Sequence, residues 1–418
     1  MLAITAAPDG TAPVRGRRVA ITGVGAVAPC GTGAATFWDG LLRPPSPGIR
    51  RVEGFDATAL FGPKEIRRVD RFAQFAAVAA AEALTDAGGV EGLGADPDRV
   101  GVFIGTGVGG LESLETQILV RLEKGARRVS PFLVPMLMAN SAAAGVSMRY
   151  GFRGPCENTV TACAAGTQSI GNGARLVATG RCDVVLAGAA EAPLTETGIA
   201  GFANMTAMSA SGVSMPFDRR RDGFVIAEGG AVVVLEELAR ARARGARIYG
   251  EVAGAASTAD AYHITAPAPG GAGAAACMEI ALTDAEVSPA EIAHINAHGT
   301  STGLNDASEA AAITKVFGPA GGPEETGGRG GAPLVTSIKG VTGHSLGAAG
   351  ALEAVAVVLS IDRSLIPPTF GLTELDPEFH IDVVTGAPRA WEPGPTLSNS
   401  FGFGGHNGCL VVIPPESH

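Results

Sequence analysis

Short apolar runs rich in β-branched residues alternate along this chain with longer alanine-rich stretches in which apolar positions recur at helical spacing. The runs predict strands at Val19–Thr22, Val102–Ile104, Val184–Ala187, Ala231–Leu235, Ile292–Asn296, Val335–Ile338 and Leu410–Ile413. This rhythm is that of an α/β protein, with helices covering both faces of mostly parallel sheets. No literal repeat is present, yet a strand opens at Val19 and another at Gly250–Val252, which points to two similar units meeting face to face. The most apolar long stretch, Leu346–Ile361, is interrupted by Glu353 and falls short of the roughly 20 residues of a membrane span, so it reads as a buried helix. Gly318–Pro333 is dense in Pro and Gly and reads as an exposed loop. Met1–Arg18 has too short an apolar run for a signal peptide and reads as a loose leader.

Composition narrows the function. With 418 residues, 46% of them apolar, the chain has ample material for a large core. Sixty glycines and few aromatics suit close backbone packing. A net charge of −10 opposes any broad nucleic-acid or anionic-membrane surface. The six cysteines are scattered without a C-x-x-C pair, which fits reduced thiols and a cytoplasmic location. Cysteines and histidines show no metal-ligand spacing, so no metal site is expected.

Four segments carry candidate chemistry. In ENTVTACAAGTQSIGNGARLVATG a β-prone run, Asn158–Thr161, gives way to a helical stretch with Ile170, Ala174 and Val177 on one face, which puts Cys163 at a helix N-terminus. The unpaired N–H groups there favour a thiolate, with a pKa drawn from about 8.5 toward 7 or below. In IAHINAHGTSTGLND a strand ends at His298, whose imidazole projects into the crevice where α/β proteins bind ligands; His294 reads as structural. In VTSIKGVTGHSLGAAGALEA, Lys339 and His344 lie in a glycine-punctuated loop before the apolar helix. A thiolate that attacks and imidazole N–H groups that stabilise an enolate divide the labour of a decarboxylative condensation. In SNSFGFGGHNG the glycines let backbone N–H groups turn toward a ligand, with Phe401 and Phe403 as movable walls. Two short motifs suggest rivals. GHSLG fits the serine nucleophile elbow, with Ser345 as its serine, but polar residues separate it from the strand. GTGVGG fits a dinucleotide fingerprint that nothing else supports.

TACAAG, NAHGTST, KGVTGHSLGAAG and NSFGFGGHNG, in this order, resemble the β-ketoacyl-acyl carrier protein synthases of the elongating type, which include the type II polyketide ketosynthases. The likeness runs from about Arg18 to Pro414. It implies a duplicated thiolase-like fold in five α-β-α-β-α layers, with a leader at 1–17, a half at 18–253 carrying the nucleophile and a half at 254–418 carrying the two histidines. It implies extension of an acyl chain by two carbons from malonyl carried on acyl carrier protein, with no cofactor beyond the carrier's phosphopantetheine arm. Cys163 matches the acylated nucleophile, His298 and His344 the pair supporting decarboxylation, and Lys339 and Glu309 the supporting charges. Thr300 and Thr302 match residues holding the phosphopantetheine arm, and Val108 the wall of the acyl pocket. Phe401 matches the gate, its N–H forming the oxyanion hole with that of Cys163. A degradative thiolase would carry a second cysteine where this chain has Phe401–Gly405, and a chain-length-factor subunit lacks the nucleophile. The partner is either a second copy or a ketosynthase-like subunit. Gly303 and His406 stand where the family commonly has proline and threonine. Finally, Lys64, Arg67, Arg68 and Arg71 share a face if their segment is one helix, a basic patch suited to an acidic carrier protein.

Overall fold

A computed structural model describes residues 16–320 and 332–416; most of the leader and most of the Gly318–Pro333 loop lie outside the described residues. The strand topology is duplicated. In the first half, Val19–Ala28 pairs with Gly229–Glu237, followed across the sheet by Val184–Glu191, Val100–Gly105 and Cys156–Glu157. In the second, Gly250–Ala259 pairs with His406–Ile413, followed by Thr396–Gly402, His294–Asn296 and Leu334–Thr336. Both series run antiparallel, antiparallel, parallel, parallel. A short edge strand, Asp382–Val383, extends the second series. The halves join where Ala20 and Ile21 pair with Glu251 and Gly250. The strand Gly250–Ala259 crosses residues 253 and 254, where the sequence reading divides the halves.

Three apolar clusters divide the molecule into layers. Helices Arg71–Asp86 and Ser141–Tyr150 cover the outer face of the first series, and Ala272–Ala285 and Gly303–Phe317 the outer face of the second. Between the two series lie Ala165–Ala178 and Ala349–Arg363, giving α-β-α-β-α. The second central helix is buried from Ala349 to Ile361, as the run Leu346–Ile361 predicts for a helix that is apolar all round. The central helices cross at Gly166 and Gly350. A methyl at Gly166 would lie 2.5 Å from the Ala351 nitrogen, and one at Gly350 would lie 2.2 Å from Thr167 Oγ1.

Each central helix is entered through the same device. Ala162 (φ 48°) opens a 3₁₀ turn that leads into Ala165–Ala178, while Leu346 (φ 47°) opens the matching turn before Ala349–Arg363. A left-handed conformation at a non-glycine residue costs of order 1–3 kcal/mol, and such strain recurs at functional sites. Duplication therefore brings two strained elbows together at the centre, one presenting Cys163 and the other following His344. The eight strand runs read from the sequence all lie on or overlap observed strands. Asn158–Thr161, expected to be strand, is extended chain outside any ladder, because the preceding strand ends at Glu157. Ser398–Gly408, whose glycines suggest a backbone bending toward a ligand, divides between the strand Thr396–Gly402, the turn Phe403–Gly405 and the strand His406–Ile413.

Candidate active site

Cys163 sits in the 3₁₀ turn Ala162–Ala164 that leads into Ala165–Ala178, with its side chain buried. The Nε2 atom of His344 lies 3.1 Å from its Sγ. His298 stands on the other side, 5.4 Å from His344 between ring centroids with the planes nearly perpendicular. One donor atom from each of these three residues falls within 4.8 Å of the other two. That spacing is also close enough for a soft cation, an arrangement the linear spacing of cysteines and histidines does not foretell. The cluster opens into a cleft of about 510 Å³ whose lining includes Phe202, Phe224, Thr300, Thr302, Leu304, Phe401 and Phe403.

The charges around the histidines fix their roles. Lys339 is buried, and its Nζ donates to the carbonyl of His298 at 2.6 Å, to His298 Nδ1 at 3.2 Å and to Glu353. An ammonium beside Nδ1 leaves that atom as acceptor, so His298 carries its proton on Nε2, facing the cleft. Burial and then the charge of Lys339 hold both His298 and His344 well below the usual imidazole range, so both rings are neutral. Glu309 accepts from the backbone N–H groups of His298 and Gly299, both at 2.8 Å, and from Asn399 Nδ2 at 3.3 Å, and so holds the strand end that carries His298. Burial pushes its own carboxyl up to about 7. Glu353, read in the sequence only as an interruption of an apolar helix, is the partner of Lys339. The signal was there: a lone carboxylate in a helix buried on every side requires a cation.

Three expectations need correction. Cys163 does precede a helix, but burial outweighs the helix end and pushes its thiol up to about 12, against the lowering effects of Lys339 and of the Phe403 N–H. Burial thus favours a thiol over a thiolate at rest, with its Sγ beside His344 Nε2. The backbone N–H directed at the sulfur belongs to Phe403; Phe401 lies within the strand opposite Asn407, with its ring 5.9 Å from that of His298. The N–H beside the nucleophile's sulfur is thus that of Phe403 and not that of Phe401. Lastly, Lys64, Arg67, Arg68 and Arg71 are not on one helix. Gly62 (φ 72°) and Pro63 break the first helix, and Asp70 caps a new one by accepting from the Phe72 N–H at 3.1 Å. Arg71 turns inward to the buried Glu228, with Nη2–Oε1 at 2.7 Å. Lys64, Arg67 and Arg68 stay exposed, outside the Cys163 cleft, and Arg68 stacks over Phe132 at 4.4 Å. Arg127 and Arg128, which precede Phe132 in the chain, are exposed as well.

The remaining residues have clear places. Thr300 and Thr302 share a hydrogen bond of 2.9 Å in the cleft, and Thr302 caps the helix Gly303–Phe317. Gly303 is the first residue of that helix, and a methyl there would meet nothing within 4 Å. His406 is half-buried beside the Gly404 turn. Val108 is 48% exposed and does not line the cleft. Its loop, the GTGVGG motif, turns the N–H groups of Gly107 and Val108 toward the Glu191 carboxylate, leaving no phosphate cradle. Ser345 is buried with its hydroxyl unpartnered, and the strained elbow residue is Leu346 rather than this serine.

The β-ketoacyl synthase N-terminal domain matches residues 45–241 and the C-terminal domain of the same family residues 249–373. The chain belongs to the β-ketoacyl synthases. It is 43% identical over 415 residues to 3-oxoacyl-[acyl-carrier-protein] synthase 2 of Synechocystis sp., covering 94% of this chain and 97% of that protein. Among solved structures it resembles the ishigamide ketosynthase/chain length factor, with a TM-score of 0.88 at 32% identity over 96% of this chain and 100% of the other. It also resembles a type II polyketide ketosynthase bound to a hexaketide and in complex with its acyl-carrier protein. There the TM-score is 0.85 at 32% identity, again over 96% and 100%. The layered, duplicated fold of this β-ketoacyl synthase is thus the thiolase-like one that its motifs imply. No helix among its described residues is long and apolar enough to cross a membrane.

Proposed function

We propose that this β-ketoacyl synthase extends an acyl chain held on Cys163 by two carbons taken from malonyl on acyl carrier protein, in fatty acid or polyketide synthesis. The observation that carries the reading is the convergence of Cys163, His298 and His344 at the floor of one cleft. In the first half-reaction the Cys163 sulfur attacks the acyl thioester carbonyl, and its proton passes to His344 Nε2, 3.1 Å away, and on to the departing pantetheine sulfur. One carbon–sulfur bond forms and one breaks. In the second, the malonyl carboxylate leaves as carbon dioxide, and its electron pair forms an enolate whose oxygen accepts from the Nε2–H of His298. The enolate carbon then attacks the Cys163 thioester, the oxyanion is held by the N–H groups of Cys163 and Phe403, and collapse returns the sulfur to Cys163. The condensation is redox-neutral overall, so this reading calls for no redox cofactor. Thr300 and Thr302 suit the polar pantetheine arm. Lys64, Arg67 and Arg68, all exposed, suit an acidic carrier. We place the enzyme in the cytoplasm, its six thiols free.

A partner subunit, a second copy or a ketosynthase-like chain, fits the same reading. Val108 on the acyl-pocket loop and Ile118, Leu119, Leu122 and Val134 nearby in sequence are large apolar residues left exposed on the single chain. The test of the chemistry is His298→Ala with malonyl carrier and acylated enzyme. Acylation of Cys163 should persist while release of carbon dioxide falls by about 100-fold or more. Equal loss of both steps would assign His298 to acylation instead.

A further inference from the structure

Between the two cleft threonines stands a residue that the steps above do not use. Ser301 is buried, does not line the cleft, and holds a left-handed backbone (φ 69°) although it is not glycine. That conformation crowds Cβ against the following carbonyl oxygen, so it persists only where neighbours impose it. Three hydrogen bonds do so here. Ser301 Oγ accepts from the Met215 N–H at 2.8 Å, the Ser301 carbonyl accepts from the Gly223 N–H at 3.0 Å, and the Ser301 N–H donates to the buried Asp306 carboxylate at 3.2 Å. Asp306 also accepts from the Phe217 N–H at 2.8 Å, so residues 215–223 are laced to residues 301–306 at several points.

The bend at Ser301 decides where the threonines stand. Two residues of extended chain would carry Thr300 and Thr302 about 6.6 Å apart. Their hydroxyls instead lie 2.9 Å from one another, and both residues line the cleft. One O–H is spent in that bond, which leaves the other to donate to a ligand. Thr302 Oγ1 also accepts from the Asn305 N–H at 3.3 Å, which ties the pair to the start of the helix Gly303–Phe317. A fixed O–H donor on the wall of a cleft that leads to Cys163 suits an amide carbonyl, and the pantetheine arm carries amides. We propose that Ser301 is a positioning residue whose left-handed backbone sets the paired Thr300 and Thr302 hydroxyls to hold an amide carbonyl of the pantetheine arm. This rests on the condensing reaction proposed above.

The test follows acylation of Cys163 by intact mass against the concentration of acyl-pantetheine thioesters of several chain lengths, and of the matching ethanethiol thioesters, which lack the amides. Ser301→Ala and Ser301→Gly both leave the Met215 N–H without its acceptor, so that loss cancels between them. They differ in the backbone, since glycine takes the left-handed conformation without strain and alanine does not. Ser301→Ala is expected to raise the half-saturating pantetheine concentration about fivefold or more over wild type, the scale of one lost hydrogen bond, with the maximal rate kept and Ser301→Gly falling between the two. The ethanethiol thioesters should acylate all three proteins alike. A role in packing alone reverses the order, because glycine removes more of the side chain, and a role of the hydroxyl alone gives the two variants equal values. Either result overturns the proposal, as does an equal loss with the ethanethiol thioesters. Should Ser301→Ala fail to fold, Ser301→Gly against wild type carries the test: a rise below about threefold is expected, and one of about tenfold overturns the proposal. In each of these cases a wild type that pantetheine thioesters acylate leaves the condensing reaction standing, whereas a wild type with no adduct on Cys163 overturns the reaction and the role of Ser301 together.

Discussion

At Cys163 two effects oppose one another. Enclosure disfavours the thiolate, while Lys339 and the Phe403 N–H favour it, and enclosure wins. Alkylation of Cys163 by iodoacetamide should therefore climb steadily with pH beyond 9, without the plateau near neutrality that a helix-end thiolate gives. Lys339→Met, which removes the nearest cation, should slow alkylation further at pH 8. His294 shows the same physics without a catalytic role. It packs edge-on against Trp391 at 5.5 Å with both ring nitrogens unpartnered, and burial lowers its pKa to about 3. The unfolded ring binds its proton near 6.5, so the unfolded state is protonated first. This histidine costs no stability above that pH, and an increasing amount as pH falls toward 3, about 2 kcal/mol by pH 5. His294→Met should reduce the loss of Tm between pH 7.5 and 5 while leaving condensation intact; an unchanged pH slope would show the ring to be hydrated. At this scale the sequence reveals which side chains react but not their protonation states. Those depend first on burial, which overrides Lys339 at Cys163 and acts with it at the two histidines.

The elements that were legible carry their own signal. Strand runs such as Val184–Ala187 are continuous apolar segments, and the helix after Cys163 shows its buried stripe directly. What was misread depended on tertiary partners. The glycines of Ser398–Gly408 hide the strand Thr396–Gly402, because Phe401 and Gly402 belong at once to a ladder and to a cleft wall. The helical spacing of Lys64 to Arg71 is broken by the extended Val69 and the Asp70 cap, and the cap is a stronger local signal than the charge pattern. Two consequences belong here. Gly303 has helical surroundings, space for a side chain and the first position of its helix, where proline is favoured. Gly303→Pro should thus raise stability by about 0.4–1 kcal/mol, read as a higher denaturant midpoint. Arg67→Glu with Arg68→Glu should raise KM for the carrier substrate at low salt, with the difference fading as salt screens the patch; an unchanged KM would move carrier docking elsewhere.

At the scale of the molecule, duplication makes the site. Two strand series of identical order stack through two central helices that touch at Gly166 and Gly350, and the strained entries to those helices meet where Cys163 and His344 approach. A strand opening each half was readable in the sequence. The matched elbows were not, since Ala162 and Leu346 share a backbone conformation and no side-chain chemistry. The proposal that Cys163 carries the growing chain is tested by intact-mass analysis of wild type and Cys163→Ala after exposure to acyl-carrier thioesters of several lengths, followed by malonyl carrier. An acyl adduct on the wild type that is absent from the variant, followed by a product two carbons longer, is expected. An adduct that survives in Cys163→Ala, or extension without any adduct on Cys163, would contradict it.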